Sequence, residues 1–346
     1  MPQNEKLTDV IKLISDIKHG KLFSSYEIAL RTETLLEKLI SDVDWNNARE
    51  LMDKIKNKIK QVHATLPLEV TATNIMRHVL KVIREEFKDS ASEKKGEGQS
   101  LHHLVMADKS DELDYSECHG NLRSRLLDYL TEYKTELETS TENIATQALE
   151  HIHPNEIILT VGKSSTVEKF LKNAAMERNF QVIVVEAAPH YHGHKMATRL
   201  ASSKIQTTVI PDSGVFAMMS RVNKVIIGTN SVMADGGLRA PSGVQSVALA
   251  AKHYSVPVMV LAHIYKLTPQ YVCSHEKETF DMCASPGGVI PYSTGPLLNK
   301  INVYNPIFDY VQPELVTLLI SHQGGNAPSY VYRLLSELYH SDDYDV

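Results

Sequence analysis

The chain has 346 residues and a mass of 38.7 kDa, with 36 Lys and Arg against 42 Asp and Glu, a formal charge of −6. Hydrophobic content of 42% and charged content of 23% exclude a disordered or fibrous chain, and the length suits about two domains of roughly 150 residues. A pI near 6.2 excludes a protein that holds nucleic acid or membrane mainly by bulk positive charge. The three cysteines, Cys118, Cys273 and Cys283, are too few and scattered for a disulfide framework, and no CxxC suggests zinc. No apolar run reaches the length of a membrane span, and the start, MPQNEKLTDV, has no secretory h-region, so a soluble protein of a reducing compartment is expected.

The acidic excess is confined to one half. Residues 1–150 hold 27 acidic and 21 basic residues, and residues 151–346 hold 15 of each. The first half reads as helical. Trp45, Ala48, Leu51, Met52, Ile55, Ile59 and Val62 recur at three- and four-residue steps behind a candidate cap, Asp44. Ile75, Met76, Val79, Leu80, Ile83 and Phe87 repeat the pattern after a break at Pro67, as do Leu122, Leu126, Leu130, Tyr133 and Leu137. Between them Lys88–Ser100, KDSASEKKGEGQS, lacks aliphatic residues and predicts a mobile loop.

After His153-Pro154 the pattern becomes strand, turn, helix. Strands are predicted at Glu156–Val161, Gln181–Glu186, Ile205–Ile210, Lys224–Thr229 and Val256–Ala262, with helices such as Thr166–Arg178 and Gly243–Tyr254 between them. Near-continuous apolar strands alternating with helices imply a parallel sheet covered on both faces, a Rossmann-like open sheet with right-handed crossovers. The expected fold is α/β: a helical domain over 1–150 and a Rossmann-like domain over 151–346. Ligands of such sheets bind beyond the strand carboxyl ends, which directs attention to Gly162–Ser165, Ala187–His194, Pro211–Gly214 and Asn230–Gly237.

Gly162-Lys163-Ser164-Ser165 opens a helix where a phosphate could meet free amides, yet it lacks the upstream glycine of a P-loop and the full GxGxxG. A helix start capped by Ser164 or Ser165 is the plainer reading. His190, His192 and His194 form HxHxH near Glu186, a metal site only if further ligands join; solvated loop histidines are the plainer reading. Asp235-Gly236-Gly237 offers a carboxylate for acid–base work, or simply a polar turn. Cys273 and Cys283, with His275 nearby, carry no signature of a thiol nucleophile.

Three segments together, Ala145–Gly162 (ATQALEHIHPNEIILTVG), Asn223–Gly236 (NKVIIGTNSVMADG) and Asn305–Leu315 (NPIFDYVQPEL), resemble the regulatory alpha, beta and delta subunits of eukaryotic translation initiation factor 2B. That family includes methylthioribose-1-phosphate and ribose-1,5-bisphosphate isomerases. Asn74–Phe87 (NIMRHVLKVIREEF) and Gly324–His340 (GGNAPSYVYRLLSELYH) are most similar to the beta type. The resemblance covers nearly the whole chain, thinnest at residues 1–20, 89–115 and 268–295. In the isomerases a catalytic cysteine stands in Thr-x-Cys-Asn, where this chain has Thr160-Val161-Gly162-Lys163. Their catalytic aspartate stands in Gly-Ala-Asp, here Gly228-Thr229-Asn230, and a neutral amide cannot shuttle a proton as a carboxylate does. Their phosphate-pairing Arg-Pro-x-x-x-Gly becomes Ala188-Pro189 followed by Gly193, without the guanidinium.

The resemblance therefore implies a retained fold, no catalysis and no cofactor. Implied instead is a regulatory, scaffolding subunit of a cytosolic exchange factor that promotes GDP/GTP exchange on initiation factor 2 and senses phosphorylation of its alpha subunit. The implied partners are alpha, gamma, delta and epsilon subunits in a heterodecamer, beta pairing with delta, with no direct nucleic-acid or membrane contact. The alternative is a sugar-phosphate isomerase using a substitute pair such as Asp235 with Lys163; a nucleotide-binding enzyme at the Gly162 loop is a weaker third. Two candidate contact surfaces follow from the residues. Lys54, Lys56, Lys58 and Lys60 fan over the polar side of one helix, as a surface for an acidic or phosphorylated partner or as a solvated face. Tyr330, Tyr332 and Tyr339 concentrate aromatics near the chain end, as interface anchors or as packing on the chain's own sheet, and removal of residues 329–346 is expected to leave the N-terminal helices folded.

Overall fold

The computed structural model describes residues 3–22, 24–42, 45–94, 115–117, 120–271 and 283–345. They form two compact units, Met1–Glu138 with Ser336–Val346, and Thr139–Leu335. The division falls at Glu138 rather than near residue 150, and the last eleven residues belong with the N-terminal helices rather than with the sheet.

The helical unit contains α1 (Gln3–Lys18), α2 (Ser25–Asp42), α3 (Ala48–Thr65), α4 (Val70–Lys94) and the greater part of α5 (Leu122–Thr146). A reciprocal cap starts α2: Ser24 Oγ accepts from Glu27 N at 3.1 Å, and Glu27 Oε2 accepts from Ser24 N. Asn47 caps α3, its Oδ1 accepting from Glu50 N at 2.8 Å. Asp44, the cap expected from the sequence, lies outside the described residues. The apolar stripe of α3 is buried as its spacing requires: Leu51, Met52, Ile55, Ile59 and Val62. Lys88–Lys94, expected in a mobile loop, continue α4. Nothing in Asp-Ser-Ala-Ser-Glu-Lys breaks a helix, and Ser90 folds its hydroxyl back onto Glu86 O at 2.7 Å. Residues 95–100 of that expected loop are not described.

The second unit starts with the end of α5 and a short α6 (Ala148–His151). Then follow β1 (Ile157–Val161), α7 (Ser165–Ala174), β2 (Gln181–Val185), α8 (His192–Ser202), β3 (Gln206–Ile210), α9 (Val215–Met219) and β4 (Lys224–Gly228). Beyond these lie β5 (Ser231–Val232), β6 (Leu238–Pro241), α10 (Val244–His253), β7 (Val258–Leu261), β8 (Phe308–Val311), β9 (Leu318–Ser321), β10 (Gly324–Asn326) and α11 (Val331–Leu338). All five strands read from the sequence are present within one or two residues at each end. They sit in a seven-stranded sheet of order β10-β9-β7-β4-β1-β2-β3, parallel except for the antiparallel edge strand β10. The described residues thus form the expected α/β fold with a mostly parallel central sheet.

A second antiparallel sheet, β5-β6-β8, escaped the sequence reading because its strands span only two to four residues. The core of this unit packs Ile158, Phe170, Leu171, Val182, Val184, Leu200, Ile226, Leu261 and Ile320, with one face of α7 and α8 against the sheet. β1 feeds β2 and β3 on one side, and the chain then returns to place β4 on the other. The point where strand order reverses therefore lies between β1 and β4, and their C-terminal loops frame the candidate site. No described helix is long and apolar enough to cross a membrane.

Candidate functional site

At the end of β1 the chain turns through Gly162, buried and at φ +58°, and its N–H donates to Val185 O at 3.1 Å. A Cβ built there would touch Ala187 Cβ at 3.4 Å, an ordinary contact, so the left-handed backbone and not space is what asks for glycine. Lys163 is exposed. Ser164 caps α7, its Oγ accepting from Val167 N at 3.4 Å, so the hydroxyl of this Gly-Lys-Ser turn serves the helix as the plainer reading proposed. Gly228 at the end of β4 allows that close approach: a Cβ there would lie 2.5 Å from Ser164 Oγ.

The loop after β2 is the most contorted part of the unit. Ala187 and Tyr191 have φ of 58° and 53°, and the Ala188–Pro189 peptide is cis. Ala188 is exposed and its N–H donates to Asp212 Oδ2 at 2.8 Å, which ties this loop to the one after β3. Gly193 starts α8 directly over β2; a Cβ there would meet Val185 O at 2.3 Å, so this position serves packing. His190, His192 and His194 are all exposed. His194 Nε2 lies 3.4 Å from Glu186 Oε2, and the His190 and His192 rings stack at 5.6 Å. Partial burial, then the charges of His190, Lys195 and Lys163, push His192 below the usual histidine value. Among the described residues no group of three His, Cys, Asp or Glu side chains is placed to hold a metal ion.

At the end of β4, Asn230 is half-buried and its N–H donates to Arg239 O at 3.0 Å. Thr229 Oγ1 lies 2.9 Å from both Ser231 O and Arg239 O, and Lys266 Nζ donates to Thr229 O at 2.8 Å. Asp235 is exposed and already engaged: its carboxylate accepts from Gly237 N at 2.8 Å and from the Tyr310 hydroxyl. Burial and then Asp235 push the Tyr310 phenol well above its ordinary value, so it stays protonated and donates. The carboxylate is an acceptor in the β5–β6 turn, which is the polar-turn reading of Asp-Gly-Gly.

Sequence reasoning missed His263, at the end of β7. It is buried, with Nδ1 3.1 Å from Ser140 Oγ and Nε2 3.1 Å from Thr166 Oγ1, and its ring stacks on Tyr265 at 5.0 Å. Burial, then the charges of Lys266, His322 and Lys169, lower its pKa to about 3, so the ring is neutral and bridges two hydroxyls. Only its position just past an apolar strand, Leu261-Ala262-His263, could have flagged it. Cys283 is exposed, and Cys118 and Cys273 lie outside the described residues. β1, β2 and β4 are adjacent, so Gly162, Ala188 and Asn230 follow three neighbouring strands. None of the three side chains is a nucleophile, an acid or a base.

The candidate contact residues differ in exposure and in their partners. Lys56 Nζ lies 3.4 Å from Asp343 Oδ1. Burial pushes the Lys58 amine down, with Asp9 partly restoring it. Lys54, Lys56 and Lys58 are half-buried and Lys60 is exposed, so the four lysines are unequally solvated. Tyr332 is 72% exposed, and Tyr330, 37% exposed, carries the Arg333 guanidinium 5.6 Å from its ring centroid. Tyr339 is only 2% exposed and belongs to the helical unit, which corrects its reading as an interface anchor. Removal of residues 329–346 takes away Tyr339 and Asp343, both enclosed in the helical unit, and should therefore lower the stability of these helices rather than leave it unchanged.

A model of the "Initiation factor 2 subunit family" matches residues 21–328. The chain belongs to this family. It is 39% identical to "Translation initiation factor eIF2B subunit beta" of Dictyostelium discoideum over 95% of both chains, and 34% identical to the protein of that name in Schizosaccharomyces pombe over 96% of both. Among solved structures it is similar to eIF2B beta from Chaetomium thermophilum, with a TM-score of 0.74 and 26% identity over 96% of this chain and 92% of that one. Another neighbour is a chain of the tetrameric eIF2B-beta2-delta2 complex of that organism, with a TM-score of 0.72 and 26% identity over 95% and 94%. The family's enzymes are also within reach: ribose 1,5-bisphosphate isomerase of Pyrococcus furiosus is 25% identical over 95% of this chain and 94% of the enzyme.

Proposed function

We propose that the chain is a non-catalytic, regulatory and scaffolding subunit of a guanine-nucleotide exchange factor for translation initiation factor 2. In this reading it takes the beta position, pairs with a delta subunit, and joins alpha, gamma and epsilon subunits in a cytosolic heterodecamer that senses phosphorylation of the factor's alpha subunit. The single observation that carries the reading is the full-length likeness to beta subunits, at 39% identity over 95% of both chains. The eIF2B beta2-delta2 tetramer of Chaetomium thermophilum supports pairing with delta.

The strand ends support the absence of catalysis. Isomerase chemistry as the resemblance describes it needs a thiol after β1 and a carboxylate after β4, and Gly162 and Asn230 supply neither. The substitute pair of Lys163 and Asp235 gains nothing from the geometry, since both Asp235 oxygens already accept hydrogen bonds within the small sheet. Two assays on the purified full chain test the reading. Turnover of ribose 1,5-bisphosphate or methylthioribose 1-phosphate should be absent, and affinity capture from cytosol should recover the other four subunits. Turnover that disappears on Asp235→Asn would replace the proposal with the isomerase.

A further inference from the structure

The helical unit holds a feature that its helices alone do not explain. Arg77, Lys81 and Arg84 lie on one side of α4, within about 60° of each other at about 100° per residue, with His78 beside them. Each takes an atom of the C-terminal segment. Arg84 grips the Asp343 carboxylate with both terminal nitrogens, Nη2 at 3.1 Å from Oδ1, while Arg77 Nε donates to Asp343 O at 3.2 Å. His78 Nδ1 donates to Leu338 O at 3.0 Å, Lys81 Nζ donates to Glu337 O, and Lys56 of α3 adds a third cation beside Asp343.

Only a few residues of the segment are enclosed. Tyr339 is 2% exposed and Asp343 has no exposed surface, whereas Ser336, Glu337, Ser341, Asp342 and Asp345 face solvent. Two anchors four residues apart, one aromatic and one carboxylate, with the backbone between them held by side-chain donors, is how a short linear peptide docks on a folded partner. The segment is also acidic, Asp342, Asp343 and Asp345, against a receiving face that is basic.

We propose that the α3–α4 face is a binding groove for acidic peptide segments of the form Tyr-x-x-x-Asp, filled in cis by the chain's own residues 337–345. The segment is a strap that leaves and rebinds while the helices stay folded. A bidentate pair between a planar guanidinium and a carboxylate selects Asp or Glu at the second anchor, and the enclosed phenol selects an aromatic at the first. A cis occupant sits at a high effective concentration, so the native chain keeps the groove closed to dilute competitors.

Hydrogen exchange on the full native chain gives the first test. Amides of residues 337–345 should exchange at least about tenfold faster than those of residues 77–84, reporting strap opening without loss of α4. Equal rates would overturn the strap. The second test uses full-length chain carrying Tyr339→Ala and Asp343→Ala together, probed with a synthetic labelled peptide of residues 336–345. The variant should bind the peptide and the native chain should not. Binding should weaken by about tenfold or more from 0.05 to 0.5 M salt, and vanish when the peptide itself carries Asn in place of Asp343. A variant that keeps its helical circular dichroism yet ignores the peptide would overturn the groove. Should the variant not fold, the exchange rates of the native chain decide between strap and fixed core.

Discussion

The strand ends of the sheet unit are built from backbone amides, hydroxyls and a neutral imidazole, whereas the helical unit encloses a carboxylate with no solvent exposure beside Arg77, Arg84 and Lys56. Polar groups after β1, β2 and β4 are consumed within the sheet unit, by partners at most 97 positions away. The Thr229 hydroxyl bonds to residues within ten positions of itself, Lys266 reaches the Thr229 carbonyl from 37 positions away, and Asp235 bonds to its own turn and to Tyr310 of β8, 75 positions on. In the helical unit the corresponding bonds join residues 256 to 266 positions apart. A polar group satisfied by its own loop stabilises that loop and leaves nothing for a substrate. A buried charge satisfied from about 260 positions away makes the stability of one unit depend on a segment remote in sequence.

Single substitutions break the two units in different ways. Asp343→Ala leaves Arg84 without its carboxylate partner, and should cost about 3–5 kcal/mol by denaturant unfolding followed at helical-unit probes. Phe170→Ala, in the core of the sheet unit, should cost about as much, about 3–5 kcal/mol, through a cavity instead of an orphaned charge. Asp343→Asn should recover part of the first loss, since the amide keeps shape and one acceptor. No isosteric change recovers the second.

Next in size is the response to acid. His78 is half-buried and His263 buried, and both are pushed below the usual histidine value, chiefly by burial. Glu136, Glu85 and Lys81 face His78 electrostatically, with Tyr129 and Tyr133 packed on its ring. Leu338 O can only accept, so Nδ1 of His78 carries the proton and Nε2 accepts from Tyr129 at 2.7 Å. Each folded-state value lies below the unfolded one near 6.5, so the unfolded chain binds more protons in the acid range. Their contribution is complete above about pH 6.5 and falls away as the pH drops, down to about 3 for His263. Unfolding free energies from pH 7 to 4 should show this slope, and His263→Gln should flatten it for the sheet unit alone.

Smaller effects refine the comparison. Gly162→Ala places a Cβ at φ +58° with adequate space and should cost about 1–2 kcal/mol, from backbone strain alone. Lys60→Gln, fully on the surface, should fall within about 0.5 kcal/mol of the native chain, while Lys56→Gln should exceed it because its partner Asp343 is fully enclosed. Equal losses for Lys56 and Lys60 would restore the single solvated face expected from their spacing.

How much of this could be read from sequence follows from range. The parallel strands were legible because strands such as β1, β2 and β4 are near-continuous apolar runs, and the order of the parallel core follows from handed crossovers. The helical stripes were legible for the same reason. β5, β6 and β8 were not, since two to four residues carry no period. The extension of α4 through Lys94 was hidden by polar composition, which says where a helix face is wet, not where the helix ends. At the candidate site the absence of thiol and carboxylate was legible at Gly162 and Asn230, but His263 was not, because a lone histidine after a strand has no partner in its own neighbourhood. Least legible was the C-terminal segment. Tyr339 and Asp343 gain meaning only from Arg77, His78 and Arg84, and no local pattern announces a bond spanning 259 residues.

The central proposal, a non-catalytic subunit of a hetero-oligomer, is tested most directly by native mass spectrometry of the full chain purified under mild conditions from the cells that make it. The account predicts masses that contain the chain together with a delta-type subunit in equal numbers, and larger species that add the remaining subunits. A chain found only as a monomer or as assemblies of itself would contradict it.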